Sequence, residues 1–377
     1  MADKSALVKL LQKLISIKSE NPPGDERIIA KFVKSFLIDL GFRVKVHEFK
    51  KNRPNVFGFL RGKTTKTLIL AVHLDTVPAG SGWLVPPFKG IIKENKIYGR
   101  GAADCKGNTA ASLAAIKSIR DQNIELEYNL LFVATSDEET GSQYGIIPLL
   151  EHNKIIADAA IILDAQDFDI VTAQKGLLQF KVRVFGLKAH GAYPGKGINA
   201  IEISASVISE LKKYKFIYNK HEFLRPPTVN IGTIVGGDKV NVVADWCEFT
   251  VDLRFLPGMN YKELILQIKR LIKNKADKFK VEIIDIQLPY EINKNNFLVK
   301  NLLLALKDNK ITPKIRGSEG ATVITFFKKK NIAAIATGFS NPDTMHITNE
   351  YIEIENLYKG TLVLESLLKN FDFNISN

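Results

Sequence analysis

Cysteine is scarce in this chain of 377 residues, which contains only Cys105 and Cys247. Two cysteines cannot build the disulfide framework that stabilises small secreted proteins, and so few of them agree with a reducing compartment. Residues 1–18 mix lysine and aspartate with leucine, and they lack the apolar stretch and cleavage site of a signal peptide. We therefore expect a cytoplasmic protein.

Long apolar runs are also missing. No stretch approaches the roughly 18 apolar residues that cross a bilayer, so we expect no membrane partner. The formal charge of +13 raises the alternative of a nucleic-acid partner. However, the lysines are dispersed, and no basic block is interleaved with aromatic residues. We expect a solvated lysine-rich surface without nucleic acid, and its positive field favours anionic substrates.

Alternating strand and helix patterns fill the first part of the chain. Residues 67–72, 128–135 and 159–163 form apolar, β-branched runs typical of buried strands. Residues 108–119 have apolar side chains at helical spacing. This alternation predicts an α/β class with a doubly wound sheet that has helices on both faces.

The pattern changes from residue 177. The predicted order is strand 178–185, helix 198–213, strands 229–235 and 242–255, helix 261–273 and strand 280–286. This βαββαβ order is typical of a ferredoxin-like unit with four strands and two helices. We therefore predict a catalytic domain at 1–176 and 289–377, interrupted by an inserted domain at 177–288.

Acidic and histidine side chains follow three predicted strands. His73 and Asp75 follow the first, the acids at 137–139 follow the second, and Asp164 follows the third. Ligands bind at the carboxyl ends of strands in open α/β sheets. Three adjacent acids repel each other unless cations or protons compensate them, so a metal centre would explain the 137–139 cluster, whereas a solvated acidic loop is the alternative.

Two further donors lie near the ends of other segments. Asp104 lies in a glycine-rich loop, where it can face a cavity or cap the following helix, and His346 precedes the last predicted helix. Nitrogen and oxygen donors without thiolates suit zinc, cobalt or manganese in a catalytic role. Cys105 is interpreted as a small wall residue.

With these segments the chain resembles, over nearly its full length, a dinuclear zinc metallopeptidase family. This family includes acetylornithine deacetylase, succinyl-diaminopimelate desuccinylase, aminoacylase and carboxypeptidase G. The resemblance lies in the motifs at 73–78, 83–88, 98–107, 137–139, 189–191 and 252–258. It implies a zinc-peptidase-like catalytic domain and an inserted dimerisation or lid domain.

The resemblance also implies roles for single residues. Two divalent metal ions, zinc or alternatively cobalt or manganese, are expected on His73, Asp104, Glu139, Asp164 and His346. Asp104 would bridge the ions, one held with His73 and Asp164 and the other with Glu139 and His346. Asp75 would support His73, and Glu138 would act as general base toward a metal-activated water. A cis peptide bond is expected between Asp104 and Cys105.

Outside the metal centre, His190 resembles a histidine that stabilises the oxyanion from a partner subunit, which implies a homodimer. The substrate-binding residues implied are Asn241, Arg254, Gly317 and Ser318, with Arg254 gripping a carboxylate. Its alternative is an ion pair on a strand face. The chain departs from the family pattern at Cys105, where methionine is more usual, and at Asp164, where many deacylases have glutamate.

These expectations favour hydrolysis of an N-acyl amino acid, of the acetylornithine deacetylase or succinyl-diaminopimelate desuccinylase type. A dipeptidase, tripeptidase or carboxypeptidase of the same family is the alternative, because the same metals serve both reactions. A binding protein without catalysis is a third hypothesis, but the presence of Glu138 and every expected ligand disfavours it.

Overall fold

The computed structural model describes residues 3–320 and 322–375. It forms two compact units: the described parts of Met1–Thr172, Ile292–Arg316 and Phe326–Asn377 make the first, and those of Ala173–Glu291 and Gly317–Thr325 make the second. The predicted domain boundaries, after residues 176 and 288, stay a prediction. None of the helices in the described ranges is long and apolar enough to cross a membrane.

Nine α-helices occur in the described residues. They are α1 Lys4–Ser16, α2 Arg27–Asp39, α3 Lys106–Asp121, α4 Ile146–Glu151, α5 Ala200–Lys213, α6 Tyr261–Lys273, α7 Phe297–Asp308, α8 Ile324–Lys328 and α9 Ile354–Asn370.

Sixteen strands accompany them in the same ranges. They are β1 Arg43–Glu48, β2 Pro54–Leu60, β3 Thr67–His73, β4 Ile91–Lys93, β5 Lys96–Tyr98, β6 Asn129–Thr135, β7 Ala159–Leu163, β8 Asp169–Gln174, β9 Gly176–Phe185, β10 Thr228–Gly236, β11 Trp246–Phe255, β12 Phe279–Gln287, β13 Tyr290–Glu291, β14 Lys314–Ser318, β15 Ala333–Thr337 and β16 Tyr351–Glu353.

The main sheet of the first unit has the order β1-β2-β6-β3-β7-β15-β8. Its centre, β6-β3-β7-β15, is parallel, whereas β2 joins β6 antiparallel. Every residue of β7 and all but the first of β3 are buried, as expected when helices cover both faces of a parallel sheet. The predicted α/β class is confirmed.

The second unit contains a four-stranded antiparallel sheet in the order β10-β11-β9-β12. Residues of β11 alternate between partly buried and buried, and the buried set packs in one cluster with apolar residues of α5 and α6. The chain order β9-α5-β10-β11-α6-β12 is the predicted βαββαβ order.

Several features differ from the sequence prediction, among them strands β8, β13 and β14, which were not predicted. The strand predicted at 242–255 begins at Trp246, because Val242 and Val243 pair instead with the loop at 189–190. A three-stranded sheet, β16-β5-β4, was not predicted, since its strands have only three residues each. This small sheet joins the segment after His346 to the segment before Asp104.

Leucines on one helix allow a test of the packing of the first unit. Leu302 of α7 is fully buried in the main core, whereas Leu304, two residues later, is 49% exposed. Leu302→Ala should lower the free energy of unfolding by about 2–5 kcal/mol through lost burial and a cavity. Leu304→Ala should stay within about 1 kcal/mol of the wild type. Urea unfolding followed by circular dichroism checks both, and equal losses would contradict the packing described.

Candidate metal centre

The parallel register brings the strand-end residues to one edge of the main sheet. His73 is the last residue of β3 and pairs in register with Thr135, the last residue of β6. The acids at 137–139 follow Thr135 after one residue, and Asp164 directly follows β7, which is parallel to β3. The edge predicted from the sequence therefore carries donors from three neighbouring strands.

His73 faces the carboxylate of Asp104. The Nε2 atom of His73 lies 2.8 Å from Oδ1 of Asp104, and its Nδ1 atom lies 3.0 Å from the backbone carbonyl oxygen of Asp75. A hydrogen on Nδ1 donated to that carbonyl leaves the Nε2 lone pair available for a metal ion. Asp104 is not a helix cap, since α3 is capped by Cys105 without a side-chain hydrogen bond.

The second oxygen of Asp104 faces the second histidine. His346 Nε2 lies 3.0 Å from Asp104 Oδ2 and 3.1 Å from Glu139 Oε2. Hydrogen bonds with Asp104 and Glu139 raise the pKa of His346 to about 10. Although burial opposes ionisation, hydrogen bonds from His346 and His73 hold the pKa of Asp104 below its ordinary value. One carboxylate thus serves two imidazoles.

The described residues contain two groups of possible metal ligands. Within each group, the donor atoms lie within 4.8 Å of one another. One comprises His73, Asp104 and Cys105, and the other comprises Asp104, Glu139 and His346. Asp104 is common to both. The thiol of Cys105 donates a hydrogen bond of 2.9 Å to the carbonyl oxygen of Leu163, and burial raises its pKa, so it is a neutral thiol.

Asp164 belongs to neither of these groups, but it shares their field of negative charge. Burial, and then the charge of Asp104, raise the pKa of the Asp164 carboxyl to about 7. Burial and the charge of Asp164 raise the pKa of Glu138 well above its ordinary value. Without cations, this cluster therefore retains protons that free carboxylates would lose.

Asp75 holds the turn that carries Glu138 and Glu139. Its Oδ1 and Oδ2 atoms accept hydrogen bonds of 3.1 Å from the backbone N–H groups of Glu138 and Glu139. Asn21 donates a further bond of 2.8 Å to Oδ2. The Asp75 carboxylate lies 3.5 Å from His73 Nδ1, whereas the backbone carbonyl oxygen of Asp75 lies closer to that nitrogen, at 3.0 Å. Its predicted support of His73 stays a prediction, and its contacts add a role in fixing the acidic turn.

A second layer of buried charge surrounds the donors. Arg53 binds Glu26 at 2.8 Å and Asp137 at 3.0 Å, and Asp137 also accepts hydrogen bonds from Thr140 and Tyr144. Sequence reasoning missed these partners, because only folding brings Arg53 next to Asp137. The neighbouring acids at 137–139 were the available signal that one of them requires a cation.

Glu350 was also missed. It is buried and pairs with Arg100 at 2.6 Å, next to the loop that presents Asp104. Its position four residues after His346 was the only signal in the sequence.

The residues present fit divalent metal ions. The Nε2 atoms of His73 and His346 lie 2.8 to 3.1 Å from oxygens of Asp104 and Glu139, where a cation can replace the shared protons. Four acids, Asp104, Glu138, Glu139 and Asp164, crowd beside these two histidines. Such crowding is unfavourable unless cations or protons compensate it. Nitrogen and carboxylate donors with exposed space beside them suit a catalytic ion, and the side chain of His346 is 50% exposed.

The remaining predicted residues belong to the second unit. The Nδ1 atom of exposed His190 accepts a hydrogen bond of 3.1 Å from the N–H of Ala192. Asn241 is exposed, and its carbonyl oxygen accepts a bond from Gly191.

Arg254 forms a two-pronged ion pair with Asp252 on its own strand, at 2.7 and 3.1 Å. This is the alternative that the sequence left open for this arginine. Gly317 is partly buried against Leu224, and Ser318 donates a hydrogen bond to the carbonyl oxygen of Gly320. Ala321, which follows Gly320, lies outside the described residues.

The backbone of the Asp104 loop follows the prediction. The peptide bond between Asp104 and Cys105 is cis. Gly101 has φ +87°, so the loop requires glycine there, and a Cβ at Gly107, in the first turn of α3, would clash with the carbonyl oxygen of Ala102.

Comparison with known proteins finds a matching family model and similar sequences. A sequence model of peptidase family M20/M25/M40 matches residues 69–370. A succinyl-diaminopimelate desuccinylase of Orientia tsutsugamushi (strain Boryong) is 29% identical over 371 residues, which cover 95% of this chain and 94% of the relative. An acetylornithine deacetylase of Proteus mirabilis (strain HI4320) is 34% identical over 270 residues, covering 68% and 69% respectively.

The fold has a solved counterpart. The crystal structure of aminopeptidase PepT from Bacillus cereus ATCC 10987 superposes with a TM-score of 0.82. It is 23% identical in sequence, and the match covers 98% of each chain. This likeness shows that the two chains share a fold.

The raised pKa of Asp164 generates a prediction about proton release. A carboxyl with a pKa of about 7 is mostly protonated at lower pH, and a metal ion that takes Asp164 as a ligand, as predicted, would displace that proton. Zinc binding at about pH 6 should therefore release about one proton fewer from Asp164→Asn than from the wild type. Above about pH 8 the difference should vanish, because Asp164 is already ionised.

Asp158, at the other end of β7, provides the matched control. Hydrogen bonds from Lys66 and Thr67 outweigh burial and lower the pKa of Asp158, so Asp158→Asn should match the wild type at both pH values. Titration calorimetry in buffers of different ionisation enthalpy counts the protons. Equal release by the wild type and Asp164→Asn at the lower pH would be inconsistent with this titration.

Proposed function

From the premise that this chain belongs to peptidase family M20/M25/M40 and is a hydrolase of amide bonds, we propose that its substrate is an N-acyl amino acid. The observation that carries the proposed metal mechanism is the Asp104 carboxylate shared between two donor groups. The relatives named desuccinylase and deacetylase support the substrate class. The proposed reaction is of the acetylornithine deacetylase or succinyl-diaminopimelate desuccinylase type.

The proposed ligand set holds two ions. His73 and Asp164 would hold one, Glu139 and His346 would hold the other, and Asp104 would be shared by both. Zinc is the proposed metal, with cobalt or manganese as alternatives, because nitrogen and oxygen donors suit each of them. Such ions polarise the scissile carbonyl and lower the pKa of a water molecule toward neutrality.

Glu138 is the proposed general base. The Asp75 carboxylate accepts a hydrogen bond from the backbone N–H of Glu138. This bond fixes the turn that carries Glu138 beside the proposed metal ligands. In the metal-free site burial and the charge of Asp164 raise the pKa of Glu138, whereas bound cations would lower it and leave a carboxylate that can accept a proton. In the proposed reaction it takes a proton from the attacking water and passes it to the departing amine nitrogen.

His190 is the proposed oxyanion donor, supplied by a partner subunit in a homodimer. Because its Nδ1 accepts a hydrogen bond from Ala192, the neutral ring carries its proton on Nε2. That N–H is the group required to donate to a tetrahedral oxyanion.

Recognition of the substrate carboxylate is proposed for Arg254, with Asn241, Gly317 and Ser318 completing the contacts. The guanidinium of Arg254 is matched to a carboxylate, as its pairing with Asp252 illustrates. A substrate carboxylate would compete with Asp252 for this guanidinium. We propose that the enzyme acts in the cytoplasm, on small molecules rather than on nucleic acid or membranes.

Amine release from the zinc- or cobalt-loaded protein tests the substrate class. N-acetylornithine, N-succinyl-diaminopimelate, simple N-acyl amino acids, dipeptides and tripeptides should be compared by kcat/KM. The proposal predicts the highest value for an N-acyl amino acid. A preference for dipeptides or tripeptides would replace it by the peptidase alternative, with the same metal centre.

A single substitution tests the general base. Glu138→Ala should fold and keep its metal ions, but kcat should fall by about 100- to 10,000-fold, because no other group takes up the proton. Metal content by atomic absorption and steady-state kinetics check both parts.

Glu127→Ala is the control for this substitution. Glu127 precedes β6, whereas Glu138 follows it, and the side chain of Glu127 is 65% exposed. It should retain wild-type turnover. Retained activity in Glu138→Ala would remove Glu138 from the mechanism.

A further inference from the structure

The carboxylate of Glu350 is completely enclosed by donors. Glu350 is 1% exposed. Its Oε1 accepts hydrogen bonds from the backbone N–H groups of Ala103 at 2.7 Å and Asp104 at 3.0 Å. Its Oε2 accepts from the N–H of Gly101 at 3.0 Å and from Nη1 of Arg100 at 2.6 Å. Four donors, three of them backbone groups, therefore converge on one side chain.

These three backbone donors lie in an irregular loop. Residues 99–105 belong to no helix or strand, so their N–H groups lack the partners that regular structure provides. The Glu350 carboxylate supplies that missing partner, and a charged acceptor makes stronger hydrogen bonds than a neutral one. We call these four hydrogen bonds to the Glu350 carboxylate the clamp. One of them comes from the N–H of Asp104, the residue that is shared by the two donor groups.

Glu350 also connects this loop with the second histidine. Its backbone carbonyl accepts a hydrogen bond of 2.9 Å from Gly99, and the next residues form β16, which pairs with β5. His346 lies only four residues earlier on the same segment. The 3.0 Å approach of His346 Nε2 to Asp104 Oδ2 joins two segments that are 242 residues apart, and Glu350 fastens one to the other.

We propose that Glu350 is a positioning residue that sets the separation of Asp104 and His346, and with it the affinity of the second metal site. It acts through these ligands and touches neither the ion nor the substrate. The inference rests on the proposed metal centre. Groups behind the ligands commonly change metal affinity by about 10- to 100-fold when they are substituted.

Glu350→Gln tests the role with little change of shape. The amide replaces one acceptor oxygen by an NH₂ group, which would face N–H donors, so one half of the clamp must open. Cobalt titration by calorimetry should show one of two sites weakened by about 10- to 100-fold, with a changed visible cobalt spectrum. Glu350→Asp keeps the charge but is shorter, and it should recover part of the affinity.

Glu353→Gln is the matched control. It makes the same chemical change three residues later, and Glu353 forms no side-chain cap on α9. Its cobalt affinities and spectrum should equal those of the wild type. Thermal unfolding of each metal-free variant separates a folding defect from a binding defect.

Several outcomes would overturn the proposal. Wild-type cobalt affinity in folded Glu350→Gln would do so, even if its thermal stability is reduced, since Glu350 would then be merely structural. If Glu350→Gln does not fold, Glu350→Asp decides: wild-type affinity overturns the proposal, and a weakened site supports it. If the wild-type protein binds fewer than two ions, the proposed metal centre itself fails together with this inference, a result that the wild-type titration reveals separately.

Discussion

The carboxylate of Asp104 contacts one imidazole through each of its oxygens, His73 at 2.8 Å and His346 at 3.0 Å. This arrangement requires three segments, remote in sequence, to meet at one point. The parallel strand β3 delivers His73 at its end, and a glycine-containing loop turns Asp104 back toward it. The small β16-β5 sheet aligns the segment that follows His346. The rest of the first unit packs around this meeting point.

The same arrangement concentrates negative charge where water is largely excluded. Burial and mutual repulsion raise the pKa values of Asp164 and Glu138, so the metal-free site holds protons in place of cations. The outer layer is different: Arg53 pairs with Asp137, and Arg100 pairs with Glu350. These arginines compensate the charges of Asp137 and Glu350, but they do not pair with Asp104, Glu138, Glu139 or Asp164. The inner carboxylates therefore remain available to metal ions and to proton transfer.

Much of this could be predicted from the sequence, because it depends on local periodicity and on strand ends. The α/β class, the family and the activity as an amide hydrolase are confirmed. His73, Asp104, Glu139 and His346 are brought together as the resemblance implied, although their roles as ligands stay predictions. Strand periodicity cannot reveal short strands such as β4, β5 and β16, which are ordered by their partners.

The supporting residues could not be predicted for a different reason. Glu350 and Asn21 act on backbone N–H groups and on a carboxylate that come within reach only after folding. Arg254 illustrates the converse: its type suits a substrate carboxylate, but the fold places Asp252 beside it. A residue's chemistry is readable from the sequence, whereas its partner is a property of the three-dimensional structure.

Anomalous X-ray diffraction from crystals grown with zinc tests the central claim most directly. A shared Asp104 carboxylate predicts two zinc peaks about 3.5–4 Å apart, one on each side of Asp104 and each within bonding distance of one histidine. A single peak, or two peaks of which neither contacts Asp104, would contradict the account.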